Sequence, residues 1–209
     1  LAVPAFAALF ALAGCGTYHL RADSAALDGQ PASAAWNGVV TISSEPSRAS
    51  CTMTRDGAQV AQITTPGEVR LARGNSPVEV RCTAPGHIAT SLTMRPLRDF
   101  GVQHHQATGP AGAVNNAEDI RSGRVRRFSD VTVALPPATF ATAAARDAWF
   151  AARAQNIRSA WATPIARAER SRDAMIDSAA TLRGYMDADL AALEQLKAST
   201  TVAPATRRR

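Results

Sequence analysis

Between Asn37 and Met94 apolar and polar residues alternate in short runs, each broken by turn residues. Gly38–Ser44 reads Gly-Val-Val-Thr-Ile-Ser-Ser and is followed by Glu45-Pro46-Ser47. Ala49–Thr54 alternates with Cys51 and Met53 on one face, and Asp56-Gly57 then tolerates the positive φ that a tight hairpin requires. Ala58–Ile63, the turn at Thr65-Pro66-Gly67 and the short run Glu68–Leu71 follow. After Arg73-Gly74-Asn75, the run Pro77–Cys82 sets Val78, Val80 and Cys82 on one side. Pro85-Gly86 turns, and His87–Met94 groups Ile88, Leu92 and Met94. Period-2 runs with turn signals at this spacing predict a small antiparallel β-sandwich over 37–98.

The pattern then lapses. Residues 99–127 are rich in Gly, Asn and Gln, contain Gly109-Pro110-Ala111-Gly112 and Ser122-Gly123, and predict an irregular loop. Asn115, Asn116, Glu118 and Asp119 make this stretch too polar to enter a bilayer. Val131, Val133 and Leu135 alternate again, so 128–138 is expected to return one strand to the sheet before Pro136-Pro137 stops it. Over 139–199 the period becomes helical. Phe150, Ala154, Ile157 and Trp161 form one stripe, and Met175, Ala179, Leu182, Met186, Leu190, Leu193 and Leu196 another. Thr163-Pro164 reads as an N-cap followed by Pro at the first helical position, which gives helices at 141–162 and 164–198. A single long helix kinked at Pro164 is the other reading. The fold class is α+β: a sandwich followed by a C-terminal helical hairpin or long kinked helix. The tail 200–209, ending Arg207-Arg208-Arg209, is expected to be a disordered basic segment.

Ahead of the sandwich, an apolar run from Leu1 to Ala11 leads into Leu12-Ala13-Gly14-Cys15. The run is too short for a spanning helix, which needs about 20 apolar residues. These residues resemble the lipobox of bacterial lipoproteins. The resemblance implies a signal peptide over 1–14, cleavage before Cys15, and acylation of Cys15 on its sulfur and its new amino group. Residues 15–36, rich in Ala, Ser, Gly and Asp, then form a flexible tether. Gly16, where an Asp would favour retention at the inner membrane, implies an outer-membrane anchor facing the periplasm. The chain opens on Leu1 without a basic segment, so the start of the precursor is expected upstream.

Composition narrows the function. Hydrophobic residues make up 46%, but aromatics only 5%, so the core is thin and leans on helices or a covalent clip. With Cys15 assigned to lipid, two of the three cysteines remain, Cys51 and Cys82, and in an oxidising compartment they are expected to form a disulfide. Two buried free thiols are the alternative, and no ligands stand nearby for a metal site. Lys and Arg number 23 against 17 Asp and Glu, for a net charge of +6. The basic residues are scattered rather than clustered with aromatics, which argues against nucleic acid as a partner. Gly38-x-Val40, Ser44-x-Pro46, Asp56-Gly57, Thr65-Pro66, Leu71, Gly74, Val78-x-Val80 and Pro85-Gly86 together resemble the PEGA domain, a small β module of bacterial envelope proteins. The resemblance implies an envelope β domain and brings no catalytic residues.

Candidate chemistry is sparse. His104-His105 could chelate from the 100–127 loop with Asp119, but adjacent exposed loop histidines are the plainer reading. His87 reads as a strand-end residue and His19 as part of the tether. The sequence contains no Gly-x-Ser-x-Gly elbow, phosphate loop, dinucleotide fingerprint or His-Glu-x-x-His. The helix carboxylates read as a solvated face with i,i+4 pairs. No cofactor is expected. The sequence therefore points to a non-catalytic binding or structural lipoprotein, attached to the bilayer through Cys15, with an envelope protein or cell-wall polymer as partner. Two alternatives follow from the same residues. One is an assembly subunit that self-associates through the helices. The other is an envelope hydrolase or metal-binding protein using His104, His105 and Asp119.

Overall fold

A computed structural model describes residues 34–102, 109–170 and 176–204. Cys15, the signal segment and most of the tether lie outside them, as do His104, His105, Met175 and Arg207–Arg209.

The alternating region folds into two sheets. One contains β3 (Ala58–Thr64), β2 (Ser50–Arg55), β5 (Val78–Thr83) and β6 (Thr90–Met94), in that spatial order and all antiparallel. The other is β4 (Gly67–Arg70), β1 (Val39–Glu45) and β9 (Val131–Ala134), in which β9 joins β1 in parallel. The expected returning strand is thus present. Two-residue strands β7 (Leu97–Arg98) and β8 (Arg126–Arg127) pair beside them. Strand β5 shows strict alternation, burying Val78, Val80 and Cys82 while exposing Glu79, Arg81 and Thr83. Val40, Ile42, Met53, Phe128, Val133 and Leu135 complete a single core shared by both sheets. The Asp56-Gly57 hairpin has φ of 51° and 78°, both positive as a primed turn requires.

Cys51 and Cys82 are cross-strand neighbours on β2 and β5, both fully buried, and are joined by a disulfide. Alternation sends both side chains inward, so the clip lies inside the core and within one sheet.

The region expected to be an irregular loop instead holds a 13-residue helix, α1 (Gly109–Arg121). Its buried positions are Gly112, Asn116 and Asp119, while Val114 is 68% exposed. The spacing is helical, but the face turned inward is polar, so no apolar stripe marks it. Asn75 caps its end by donating from Nδ2 to the carbonyls of Ile120 and Arg121, both at 2.9 Å. Gly123 follows with φ of 68°, and a Cβ there would meet the Gly74 backbone at 2.6 Å.

The C-terminal helices form a hairpin, but its break is not at Thr163-Pro164. Helix α2 (Ala143–Arg170) runs through Pro164, and α3 (Ala179–Ala198) starts at Ser178, whose hydroxyl accepts from Thr181 N at 3.0 Å. Proline inside a helix forfeits its own bond to the carbonyl four residues back, here that of Ala160. Packing of the two helices along their length outweighs that loss. The start of the segment expected to be disordered is ordered, while its basic end lies outside the described residues. Thr201–Val202 forms β11, parallel to β10 (Thr139–Phe140), with Thr201 N donating to Ala138 O at 3.1 Å and Ala203 N to Phe140 O at 2.8 Å.

Candidate functional site: a groove between two strand edges

The two sheets approach each other where β6 and β9 are the outer strands. His87 and Pro137 form an antiparallel bridge there, flanked by Ile88 N donating to Pro136 O at 2.9 Å and Ala138 N to Gly86 O at 3.0 Å. Beyond this bridge β6 and β9 run on as separate edges, and no ladder joins them among the described residues. Helices α2 and α3 lie over the opening. Between the helices and the two edges is a groove of about 1080 Å³, with Leu92, Met94, Val131, Trp149, Ile157 and Trp161 among its apolar walls.

Strand register settles which main-chain groups face the opening. The Cys51 and Cys82 Cα atoms are 4.1 Å apart, the close spacing of a non-hydrogen-bonded antiparallel pair. The N–H and C=O of Cys82 therefore point to β6, where Thr90 is its partner. Thr90, Leu92 and Met94 thus bond inward to β5, and the main-chain groups of Ser91 and Thr93 point outward. The same logic applies to β9. Leu135 N donates to Glu45 O at 2.7 Å, so Val131 and Val133, of the same parity, bond to β1. Thr132 and Ala134 are left facing out. Among the described residues one weak polar contact reaches these outward groups: Arg95 Nη1 lies 3.5 Å from Thr93 O.

Three carboxylates stand on the walls. Glu45 on β1 is paired with Arg153 of α2. Asp189 of α3 accepts from Arg95 Nη1 at 2.6 Å and from Trp161 Nε1 at 2.9 Å, and the Arg95 guanidinium stacks 4.9 Å from the centre of the Tyr185 ring. Asp130 accepts Thr41 N at 2.7 Å and has no cationic partner among the described residues. These pairings differ from the expected solvated i,i+4 face: Asp189 reaches across to the sandwich. So does Asp177, which pairs with Arg126 and accepts Arg98 N at 2.7 Å. Charge also ties the helices to each other. Lys197 Nζ lies 3.0 Å from Asp147 Oδ1, and its hydrogen bond holds the Asp147 carboxyl below its ordinary pKa of 3.8.

The residues singled out from sequence disperse. Asp119 is buried on α1 and held by two bonds from Arg124, Nε to Oδ1 at 2.7 Å and Nη2 to Oδ2 at 2.6 Å. The same carboxylate raises the Arg124 pKa, chiefly through hydrogen bonding. Asp119 thus fixes the turn after α1. His87 directs Nδ1 at Pro85 O, 2.8 Å away, at the bridge that closes one end of the groove. The helical stripe is largely occupied within the chain. Phe150 packs with Phe140 and Leu193, joined by Trp149, Ala154, Ile157 and Leu196. Trp161 meets Tyr185 with ring centres 5.9 Å apart. The groove itself escaped sequence reasoning because it is made by strand edges that pair with nothing, and an edge has no signature in the residues that form it. Among the described residues no three His, Cys, Asp or Glu side chains are grouped as metal ligands, and no helix is long and apolar enough to cross a membrane.

Comparison of the chain with protein-family models, with curated proteins and with solved structures gave no match in any of the three.

Proposed function

We propose that this chain is a lipid-anchored envelope protein with a PEGA-like β domain, and that it acts as a non-catalytic binding module through the groove between β6, β9 and the helical hairpin. The observation that carries the binding role is the groove itself, with two strand edges on its floor that no ladder joins among the described residues and apolar side chains on its walls. Binding fits these walls better than catalysis does. Glu45 and Asp189 are each engaged by an arginine, which gives both carboxylates a structural partner on the walls. The address rests on Leu12-Ala13-Gly14-Cys15. Acylated Cys15 would confine the sandwich to a thin layer at the membrane and raise its effective concentration for a weak partner. Two or more acyl chains give the firm attachment that one alone does not.

The test has two arms. Full-length precursor made in a bacterial host with labelled palmitate should carry the label and sediment with membranes, and the Cys15→Ser variant should do neither. An unlabelled wild-type chain would remove the anchor. A photo-crosslinking residue at Leu92 in the anchored protein should give adducts with envelope components that are missing when the residue is placed at Thr52, on the opposite side of the sheet system. Equal labelling from both positions would remove the groove as the binding surface.

A further inference from the structure

We infer that the groove takes an extended polypeptide segment that adds as a strand to the β6 edge and carries a basic residue beside Asp130. This deepens the binding reading above and rests on it. The outward main-chain groups of Ser91 and Thr93 on one edge, and of Thr132 and Ala134 on the other, are the argument for the occupant. Each edge offers alternating N–H and C=O groups at strand spacing, which another main chain in β conformation can match. An acyl chain would fill the apolar walls but leave these groups without partners, and a buried unpaired amide costs far more than an apolar contact returns. A folded helix has satisfied its own main chain and would do the same. The side-chain walls fit a strand as well. Leu92, Val131 and Ile157 are half-buried, so an occupant with apolar residues at alternate positions covers them while its other residues face water.

Charge fixes the polarity of the occupant. Arg153 and Arg95 already neutralise Glu45 and Asp189, so among the described residues Asp130 is the carboxylate on the walls that has no cation beside it. Asp130 adjoins β9 at the end farthest from the His87–Pro137 bridge, where the two edges are no longer joined. A Lys or Arg of the occupant placed there balances the groove.

The experiment uses the full chain with Cys15→Ser, panned against a phage-displayed library of random linear peptides. Enriched peptides should alternate apolar and polar residues and contain a Lys or Arg near one end. N-methylation at alternate amides of an enriched peptide should weaken it roughly tenfold in one register and little in the other. Ser91→Pro removes an N–H that the β5 ladder does not use, and proline is tolerated on a sheet edge. This variant should keep the disulfide and the circular dichroism of the parent yet bind about tenfold more weakly. Asp130→Asn should abolish the preference for the basic residue. Peptides enriched with helical spacing, binding indifferent to N-methylation and to Ser91→Pro, or no enrichment at all would each overturn the strand inference. Concentration-dependent dimers lost in Ser91→Pro would assign the edge to a second copy and overturn it too. A laurate probe that binds when peptides do not would overturn the peptide occupant while leaving the binding module intact. Loss of every groove adduct from position 92 would remove the module itself.

Discussion

Asp99 offers the sharpest test of how the β domain is held together. It is fully buried, at the end of β7, and four groups converge on it. Its Oδ2 accepts Trp36 N at 3.0 Å and lies 2.7 Å from Arg73 Nη2, its Oδ1 accepts Gly101 N at 3.0 Å, and its own N–H donates to Val125 O at 2.8 Å. Arg73 in turn donates to the carbonyls of Trp36 and Arg126 at 2.7 and 2.6 Å. The Asp99→Ala substitution leaves two main-chain N–H groups without acceptors and a guanidinium without its counter-ion. Hydrogen bonds to a charged group contribute about 1.5–3 kcal/mol each, and breaking a buried pair costs about 3–5 kcal/mol. The Arg73 side chain is 25% exposed, so water recovers part of that loss. The expected destabilisation is therefore about 3–4 kcal/mol. At a typical slope of about 2 kcal/mol per molar urea, the unfolding midpoint should fall by about 1.5–2 M. Trp36 packs edge-on against Phe128 with ring centres 5.9 Å apart, so its fluorescence reports the same site, and its emission should shift to the red in the variant. Asp99→Asn, which keeps the shape and one acceptor, should lose roughly half as much. A loss below about 1 kcal/mol for Asp99→Ala would show that the buried network does not hold Trp36 and β7 in place, and the reasoning would fail.

Four further outcomes are expected. Mass spectrometry under non-reducing conditions should find one intramolecular bridge. The double substitution Cys51→Ala with Cys82→Ala should cost about 3–4 kcal/mol, since the bridge closes a 31-residue separation in the unfolded chain. Replacing Gly123 by Ala forces a Cβ to within 2.6 Å of the Gly74 backbone at a φ of 68°, and thermal denaturation should show a loss of about 2 kcal/mol or more. The Asp147 carboxyl should titrate below 3.8 by NMR and return toward that value in Lys197→Ala. Because its folded pKa is depressed, the pair's contribution to stability is present above the unfolded value and is lost as pH falls through the folded one.

Much of the β domain was legible because its signals are local. The positive φ demanded at Asp56-Gly57 selects those residues, and alternation over Val78–Cys82 tells inside from outside without a partner strand. Helix α1 was hidden for a physical reason: the positions it buries are Gly112, Asn116 and Asp119, polar or bare, and its Val114 faces water. The usable marks were its ends, Pro110 at the start and Gly123 just past the finish. The hairpin break was misplaced because Thr163-Pro164 imitates a helix start, whereas the working caps are Thr142, whose hydroxyl accepts Ala145 N at 3.1 Å, and Ser178. Strands β10 and β11 are two residues each and come from opposite ends of the hairpin, so no local pattern could announce them. The groove depends on the same kind of distant meeting. Its walls come from β6, β9, α2 and α3, and its floor from two edges left without neighbours.

The helical hairpin is fastened at both extremes: by Ala138 N on Gly86 O and the Arg153–Glu45 pair at its base, where the β10–β11 ladder ties its two arms together, and by Asp177 on Arg126 at its tip. A bar bolted at each end cannot swing like a door. Whatever reaches the strand edges beneath it must be threaded lengthwise through the open side, or wait for one fastening to let go. For the proposed strand occupant, loading and unloading are then both expected to be slow, with a long residence time even at modest equilibrium affinity.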